Sequence, residues 1–383
     1  MIRRHFWLEK IEEAWKRRSV LWLSGVRRVG KTTLCQSLDR AEYFDCELPR
    51  IRRLMEDPEA FLQSVRHQRV ILDEVHRLRN PSELLKVAAD HFPDVQVIAT
   101  GSSSLHASRK FRDTLTGRKT EIWLTPLISR DLADFKKTNL PHRFLFGGLP
   151  PFFLNDRLPE RDFQEWMDSY WAKDIQELFR LERRSSFQKF LELLLAQSGG
   201  LFEATAFAGP CEVSRPTIFN YLKVMEATRV CHVIKPFSTH RVTEIVSVPK
   251  VFGFDTGFIC YHRGWHELRT DDLGGLWEHF VLNEIQSRAQ GLFDIHYWRD
   301  KRGHEVDFII KRRGQAPIAI ECKWSVQAFD AKNLHAFRHY YKEGENWVVA
   351  QDIDRSMKRK QSDLSLELMS LGEMVSRLEA FTF

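Results

Sequence analysis

The stretch "SVLWLSGVRRVGKTTLCQSL" constrains the fold of this chain more than any other. Val20 to Leu23 is a short apolar run with the pattern of a buried strand. Gly25 and Gly30 follow, then Lys31 and Thr32, and the residues from Thr33 to Leu38 return to helical periodicity. The spacing GxxxxGK[ST] between a strand and a helix has a physical reading. Glycines let the backbone curl until its N–H groups face inward, and the start of the helix adds the positive end of its dipole. Such a curl cradles phosphate, with Lys31 reaching the terminal phosphates and the Thr32 hydroxyl facing Mg²⁺. Gly25, Gly30, Lys31, Thr32 and Thr33 are therefore the expected nucleotide-binding residues, with ATP as the ligand.

A second stretch, "RVILDEVHR", fits the first. Its apolar run, Val70 to Leu72, ends in Asp73 and Glu74. Beside a phosphate loop, Asp73 would complete the Mg²⁺ shell, and Glu74 is the natural base for an attacking water. A third apolar run, Val95 to Thr100 in "VQVIATGSSS", ends in hydroxyls. Thr100 and Ser102 stand where a group sensing the terminal phosphate belongs, or form a plain strand-end turn.

One such unit does not account for 383 residues and 45.2 kDa, which call for two or three domains. With 43% hydrophobic and 29% charged residues the chain is a folded one. No apolar run is long enough for a bilayer span, so no membrane role is expected, and "MIRRHFWLEKIEEAWKRR" reads as a charged amphipathic helix and not a signal peptide. The six cysteines include no CxxC pair, which fits a reducing cytoplasm. A net charge of +6 permits a polyanionic partner without demanding one.

"FLFGGLPPFF" joins Gly147-Gly148 to Pro150-Pro151, a breaker signal that puts the end of the first domain near residue 148. Two aromatic-rich amphipathic helices follow. From Leu201 a short helix runs to Gly209-Pro210, Ser214 caps a second helix carrying Ile218, Tyr221, Leu222 and Met225 inward, and the strand "RVCHVIKPF" comes next. This is the outline of a winged helix. On a DNA-reading helix, Arg215, Thr217, Asn220 and Lys223 would face the groove or the phosphates; winged helices equally serve as lids or subunit contacts. The stretch "VPKVFGFDTGFICYHRGWHELRTDDLGG" reads as a polar linker, closing a middle domain of residues 149–265.

The last domain, residues 266–383, opens with a helix bearing Glu278 and Glu284 among apolar positions. After the strand "FDIHYWRD" comes "GHEVDFIIKRRGQAPIAIECKW", two alternating apolar runs around Gly314 that are interrupted by Glu305, Asp307, Glu321 and Lys323. A hairpin symmetric about Gly314 sets Asp307 opposite Glu321 and Glu305 opposite Lys323. Directly opposed side chains stand about 4.5–5.5 Å apart at Cβ, so the two carboxylates repel unless something positive lies between them. Hard oxygen ligands suit Mg²⁺ or Mn²⁺, and Lys323 could activate water or steady developing charge. Solvent-facing positions of an edge hairpin are the alternative.

On these residues the chain resembles a known family. "EVDFII…AIECK" is similar to the PD-(D/E)xK nuclease superfamily, the restriction-endonuclease-like fold. The run from "SGVRRVGKTTL" through "ILDEVHR", "TGSS", "GRKTEIWLTPL", "GGLP" and "WEHFVLNEI" to "AIECK" resembles prokaryotic AAA-type ATPases joined to a C-terminal domain of that fold. The resemblance implies an α/β multidomain chain: an AAA-type P-loop core, an all-α and winged-helix middle, and a restriction-endonuclease-like end. It implies Glu284 as an additional metal ligand. It also implies an arginine finger before the strand-like "KTEIWL", with Arg118 favoured over Arg109 and Arg112 or a solvated basic face. A finger implies a homo-oligomer, with a hexameric ring as one form. Arg27 and Arg28 are not required by the phosphate-loop chemistry.

The primary expectation is an ATP-hydrolysing protein that acts on DNA, with a metal-dependent endonuclease site, in DNA processing, repair or defence against foreign DNA. The alternative is an ATP-gated DNA-binding regulator whose nuclease-like domain grips DNA without cutting. A third reading is a signalling or toxin–antitoxin switch with a protein partner.

Overall fold

The computed structural model describes residues 1–101, 115–176, 179, 181, 183–238 and 248–382. The chain divides into two compact units. One comprises Met1–Asn139, Gly148–Arg184 and Lys223–Val230; the other comprises Leu140–Gly147, Ser185–Leu222 and Cys231–Phe383. The stretch expected as a middle domain, residues 149–265, is thus shared between the two units. The Gly-Pro breaker falls at a division between the units, between Gly147 and Gly148, whereas residues 231–383 all stay in the second unit and a further division falls within the helix Arg215–Ala227.

Among its described residues the first unit is built on five strands, β1 (Val20–Ser24), β2 (Ala41–Asp45), β3 (Arg69–Asp73), β4 (Gln96–Thr100) and β5 (Lys119–Trp123). All run parallel, in the order β2-β3-β4-β1-β5. Their sequences explain this. Val20–Leu23, Val70–Leu72 and Val97–Ala99 are buried throughout, as parallel strands covered on both faces must be. The core gathers Val20, Trp22, Val70, Leu72, Val97 and Ala99 with Leu84, Leu85 and Ala88 of the helix Pro81–His91. From β1 the chain crosses to the far edge at β2 and returns, so the carboxyl ends of β1, β3 and β4 lie side by side. In open α/β sheets that edge is where ligands bind.

Among its described residues the second unit carries nine strands: β6 (Gly200–Leu201), β7 (Cys231–Pro236), β8 (Lys250–Gly253), β9 (Asp294–Arg299), β10 (Glu305–Lys311), β11 (Ile318–Lys323), β12 (Asn346–Ala350), β13 (Met357–Gln361) and β14 (Leu364–Met369). They form one sheet in the order β13-β14-β12-β11-β10-β9-β7-β8-β6. The helix Thr270–Ala289, β9, β10, β11, the helix Lys332–Tyr340 and β12 follow one another along the chain, with β10 antiparallel to both neighbours and β11 parallel to β12. The helix Thr270–Ala289 is buried from Leu276 to Ala289 on nearly every side, and Trp277 Nε1 donates to the Val349 carbonyl at 3.1 Å. Upstream come the helix Arg184–Ala196, β6, the helices Ala204–Ala208 and Arg215–Ala227, then β7 and β8; β8 is antiparallel to β6 and β7, and β7 is parallel to β9.

The stretch read as a polar linker is not one. Val251, Phe252 and Gly253 belong to β8, and the helix Thr256–His262 buries Phe258, Ile259 and Cys260. The charged residues near its end masked an apolar front half. No helix among the described residues is long and apolar enough to cross a membrane.

Candidate functional site

The loop after β1 has the curl that its glycines predicted. Gly25 and Gly30 have φ of +151° and +98°, and Arg28 between them also lies in the left-handed region. A Cβ on Gly25 would come within 2.6 Å of the Leu124 carbonyl oxygen, so the loop has room for glycine alone. Lys31 Nζ turns back into the curl and donates to the carbonyls of Gly25 (2.8 Å) and Val26 (3.3 Å). Burial lowers its pKa, against the pull of Glu74, Asp174 and Asp73. Thr32 Oγ1 donates to Asp73 Oδ2 at 2.8 Å, and Tyr43 donates to the same oxygen at 2.5 Å. Thr100 Oγ1 donates to the other oxygen, Oδ1, and accepts from the Glu74 N–H at 3.2 Å. Three hydroxyls, from the helix after the loop, from β2 and from the end of β4, thus converge on one buried carboxylate at the end of β3.

Glu74 itself sits at φ +53°, uncommon for a residue with a Cβ. Burial raises its pKa, but a hydrogen bond from His76 and the charges of Lys31 and Arg27 outweigh that and hold it below the usual range. These groups face a cavity of about 360 Å³ lined by Gly25, Arg27, Lys31, Thr32, Thr33, Glu74 and Asp174 among others, a volume typical of small-ligand sites at about 300–1,000 Å³. The loop, the Thr32–Asp73 pair and Lys31 fit a magnesium nucleotide. Arg27, His76, Lys173 and Asp174 are part of this wall, and none was marked by a motif.

Ser102 lies outside the described residues, as do Arg109 and Arg112. Arg118 precedes β5 at the amino-terminal edge of the sheet, opposite the phosphate loop, and its Nε donates to Asp90 at 2.7 Å. It does not reach the cavity of its own chain.

In the second unit the hairpin ladder has the expected register. Phe308 faces Ile320, Ile309 faces Ala319 and Ile310 faces Ile318, all centred on Gly314 at φ +71°. Asp307 and Glu321 stand one step beyond the last of these pairs. At that step β10 carries an irregularity against β9, between Val306 and Ile309, the kind of local bulge that re-aims a side chain. Asp307 Oδ2 accepts from the Cys322 N–H at 2.7 Å. Lys323 Nζ lies 2.8 Å from Glu321 Oε2 and 4.0 Å from Asp307 Oδ2. The Glu321 side chain is 1% exposed, and among the described residues its Oε1 is buried with no hydrogen bond within 3.5 Å, Asn333 being a weaker polar neighbour of the carboxyl.

The remaining acids fall differently from expectation. Glu305 does not pair with Lys323; it pairs with Lys250 of β8 (2.6 Å) and Arg299 (3.0 Å). Glu284 is not in the cluster. It is fully buried against Arg288, which also reaches Glu379. The acid from that helix is Glu278, held by Lys250 at 3.3 Å. Burial and the neighbouring Asp307 carboxylate raise the pKa of both Glu278 and Glu321. Among the described residues, no three or more His, Cys, Asp and Glu side chains stand in metal-holding geometry. Lys323 and Lys250 already neutralise part of the cluster.

On the helix Arg215–Ala227, Ile218, Tyr221, Leu222 and Met225 are buried, while Arg215, Asn220 and Lys223 are exposed and Thr217 is half-buried. Ser214 Oγ accepts from the Thr217 N–H at 3.4 Å, a cap at the start of the helix.

Residues 17–133 match the family model of an AAA domain. The front third is thus similar to an AAA domain. Behind it, residues 137–269 and 273–371 match two domains of unknown function, DUF8612 and DUF4143. An uncharacterized protein of Mycobacterium tuberculosis is 25% identical over 326 residues, 82% of this chain and 72% of the relative. An uncharacterized protein of Methanocaldococcus jannaschii is 21% identical over 264 residues, 63% of this chain and 58% of the relative. Among solved structures, a Signal Transduction ATPase with Numerous Domains (STAND) protein with a tetratricopeptide repeat sensor, from Pyrococcus horikoshii, overlaps 74% of this chain with 12% identity and a TM-score of 0.29. The overlap spans 47% of that protein, less than half its length. The Thermococcus gammatolerans McrB AAA+ hexamers with bound McrC overlap 51% of this chain and 52% of that one, at 8% identity and a TM-score of 0.23. Overlaps that slight bear on neither fold nor function.

Proposed function

We propose that the chain is a magnesium-dependent ATPase that acts on DNA and carries a metal-dependent nuclease site in its second unit. The observation that carries the ATPase reading is the convergence of Thr32, Tyr43 and Thr100 on Asp73, beside Lys31. Thr32 and Asp73 would hold Mg²⁺, which neutralises phosphate charge when bound. The residues of the chain do the rest. Lys31 leaves its loop carbonyls for the phosphates, and Glu74, ionised and tied through its N–H to Thr100, accepts the proton of the attacking water.

The nuclease reading rests on the restriction-endonuclease-like order of helix, three antiparallel strands, helix and parallel strand, and on the orphaned Glu321 Oε1. Asp307 and Glu321 would hold Mg²⁺ or Mn²⁺, with Glu278 drawn in from beside Asp307 on binding, and the ion would be a source of nucleophilic hydroxide near neutral pH. Lys323 is the cation placed to orient water beside them. The winged-helix order of Arg184–Ala196, β6, Ala204–Ala208, Arg215–Ala227, β7 and β8 supports DNA as the partner, with Arg215, Thr217, Asn220 and Lys223 as contacts. Arg118, at the far sheet edge, would complete a neighbouring subunit's site in a homo-oligomeric ring.

One observation favours a second reading, a DNA-binding regulator that does not cut: Lys323 and Lys250 already sit among the acids. Incubation with linear, supercoiled and branched DNA, with Mg²⁺ or Mn²⁺ and ATP, separates the two. The nuclease reading expects cleavage by wild type and none by Asp307→Ala. Equal cleavage by both removes it, and salt-sensitive binding without cleavage supports the regulator.

A further inference from the structure

Arg27 stands in the phosphate loop without a role in phosphate-loop chemistry as such, and the structure gives it a specific partner. Its Nε lies 3.2 Å from Asp174 Oδ2, and its backbone carbonyl accepts from Trp166 Nε1 at 3.0 Å. Asp174 belongs to the π-helical turn Tyr170–Gln176, which continues the helix Glu160–Ser169. Such turns are rare and gather at functional sites. This one puts Lys173 and Asp174 into the wall of the nucleotide cavity, beside Arg27, Lys31 and Glu74.

A carboxylate is a poor lining for a polyanion site. Asp174 is mostly buried, its side chain 11% exposed, and its compensation comes from Arg27 and Lys31, the cations that a phosphate would recruit. We propose that Arg27 discriminates nucleoside triphosphate from diphosphate: held by Asp174 in the structure, it exchanges that carboxylate for the terminal phosphate when a triphosphate binds, and the π-helical turn is released. A diphosphate lacks the third phosphate and leaves Arg27 on Asp174. The turn begins at Tyr170, which stacks on Trp166 with ring centroids 5.2 Å apart and whose hydroxyl lies 2.6 Å from Thr228 Oγ1. Release of the turn therefore reaches the segment Lys223–Val230. The inference rests on reading the cavity as a nucleotide site.

The test compares Mg²⁺-ADP with the magnesium complex of the imido analogue of ATP. Calorimetry measures affinity, and amide exchange follows the peptide over residues 170–176. Arg27→Ala should weaken the analogue by about tenfold, the loss of one charge-assisted hydrogen bond, and leave ADP within about twofold. Arg27→Lys should recover part of the loss. Asp174→Asn, which frees Arg27 in advance, should tighten the analogue and speed exchange of the turn without any nucleotide. In wild type the analogue should speed that exchange and ADP should not. Equal weakening of both nucleotides by Arg27→Ala, or an unchanged turn in Asp174→Asn, overturns the inference alone. Wild-type protein that binds neither nucleotide overturns the nucleotide reading, and the inference with it.

Discussion

Lys323 Nζ stands 2.8 Å from Glu321 Oε2, while the other oxygen of the same carboxylate is buried with no hydrogen bond. One oxygen of Glu321 faces a cation and the other does not, and the charge of Asp307 bears on both Glu321 and Glu278. A divalent cation would relieve that imbalance, and a ligand that binds only the folded state raises its stability by mass action. Addition of Mn²⁺ at about 100 times its dissociation constant contributes about 2.7 kcal/mol and should raise the melting temperature of wild type by about 5–11 °C, at about 2–4 °C per kcal/mol for a unit of this size. Asp307→Asn and Glu321→Gln should abolish the shift. A shift of equal size in all three proteins would place the ion elsewhere.

The nucleotide site yields a sharper expectation. Lys31 Nζ is within 2.8 Å of a loop carbonyl and Thr32 Oγ1 within 2.8 Å of Asp73, so each can turn to a ligand with little rearrangement. Lys31→Ala should bring ATP hydrolysis to background and weaken ATP binding by about tenfold or more, the scale of a lost charge-assisted contact. Thr32→Ala should reduce hydrolysis strongly and lower the melting temperature by a few degrees at most, because the buried Asp73 loses one hydroxyl partner and keeps Tyr43 and Thr100. Hydrolysis that survives Lys31→Ala in a colorimetric phosphate assay would come from another enzyme or another site.

What could be read from the chain depended on how local each constraint is. The phosphate loop was legible because Gly25, Gly30, Lys31 and Thr32 act within one turn. The hairpin register was legible because alternation and one turn glycine fix it. Lys250 was not, since it reaches Glu278 and Glu305 only through the pairing of β8 with β7 and of β7 with β9. Asp174 was hidden for another reason: a π-helical turn shifts side chains off the 3.6-residue period used to assign faces. Arg118 carried a motif position but no geometry, and the structure ties it to Asp90.

The helix acid shows the same limit and gives a clean test. Residues six apart on an α-helix point about 120° away from each other, so Glu278 and Glu284 cannot both face one site. Glu278 is beside Asp307, whereas Glu284 is buried against Arg288. Glu278→Gln should lower metal affinity and any DNA cleavage while leaving the melting temperature near that of wild type. Glu284→Ala should instead cost several kcal/mol of stability, up to about 3–5, because it takes from a buried guanidinium its nearest carboxylate and leaves Glu379 at 3.4 Å. Denaturant unfolding and a metal titration on the two variants distinguish these outcomes. Loss of metal binding in a well-folded Glu284→Gln protein would reverse the assignment.

Two buried histidines in the second unit set its acid limit. Burial pushes His262 and His279 down to about 4. His279 Nδ1 lies 2.7 Å from the Gly275 carbonyl, and its Nε2 lies 2.7 Å from Ser198 Oγ, which accepts from the Gly253 N–H at 2.6 Å. Those partners assign the proton to Nδ1 and make Nε2 an acceptor, so a second proton would break the link to Ser198. The sign follows. Above about pH 6.5 both histidines are neutral folded or unfolded, and stability does not depend on them. Below it the unfolded chain takes up protons that the folded unit refuses until about pH 4, so stability falls with pH through that window, by about 1.4 kcal/mol per pH unit for each histidine at most. His279→Gln removes one of the two protons from the balance. Between pH 7 and pH 5 it should lose about 2 kcal/mol less stability than wild type in urea unfolding, whatever its stability at pH 7. Parallel pH profiles for the two proteins would mean that His279 already carries its charge in the folded unit.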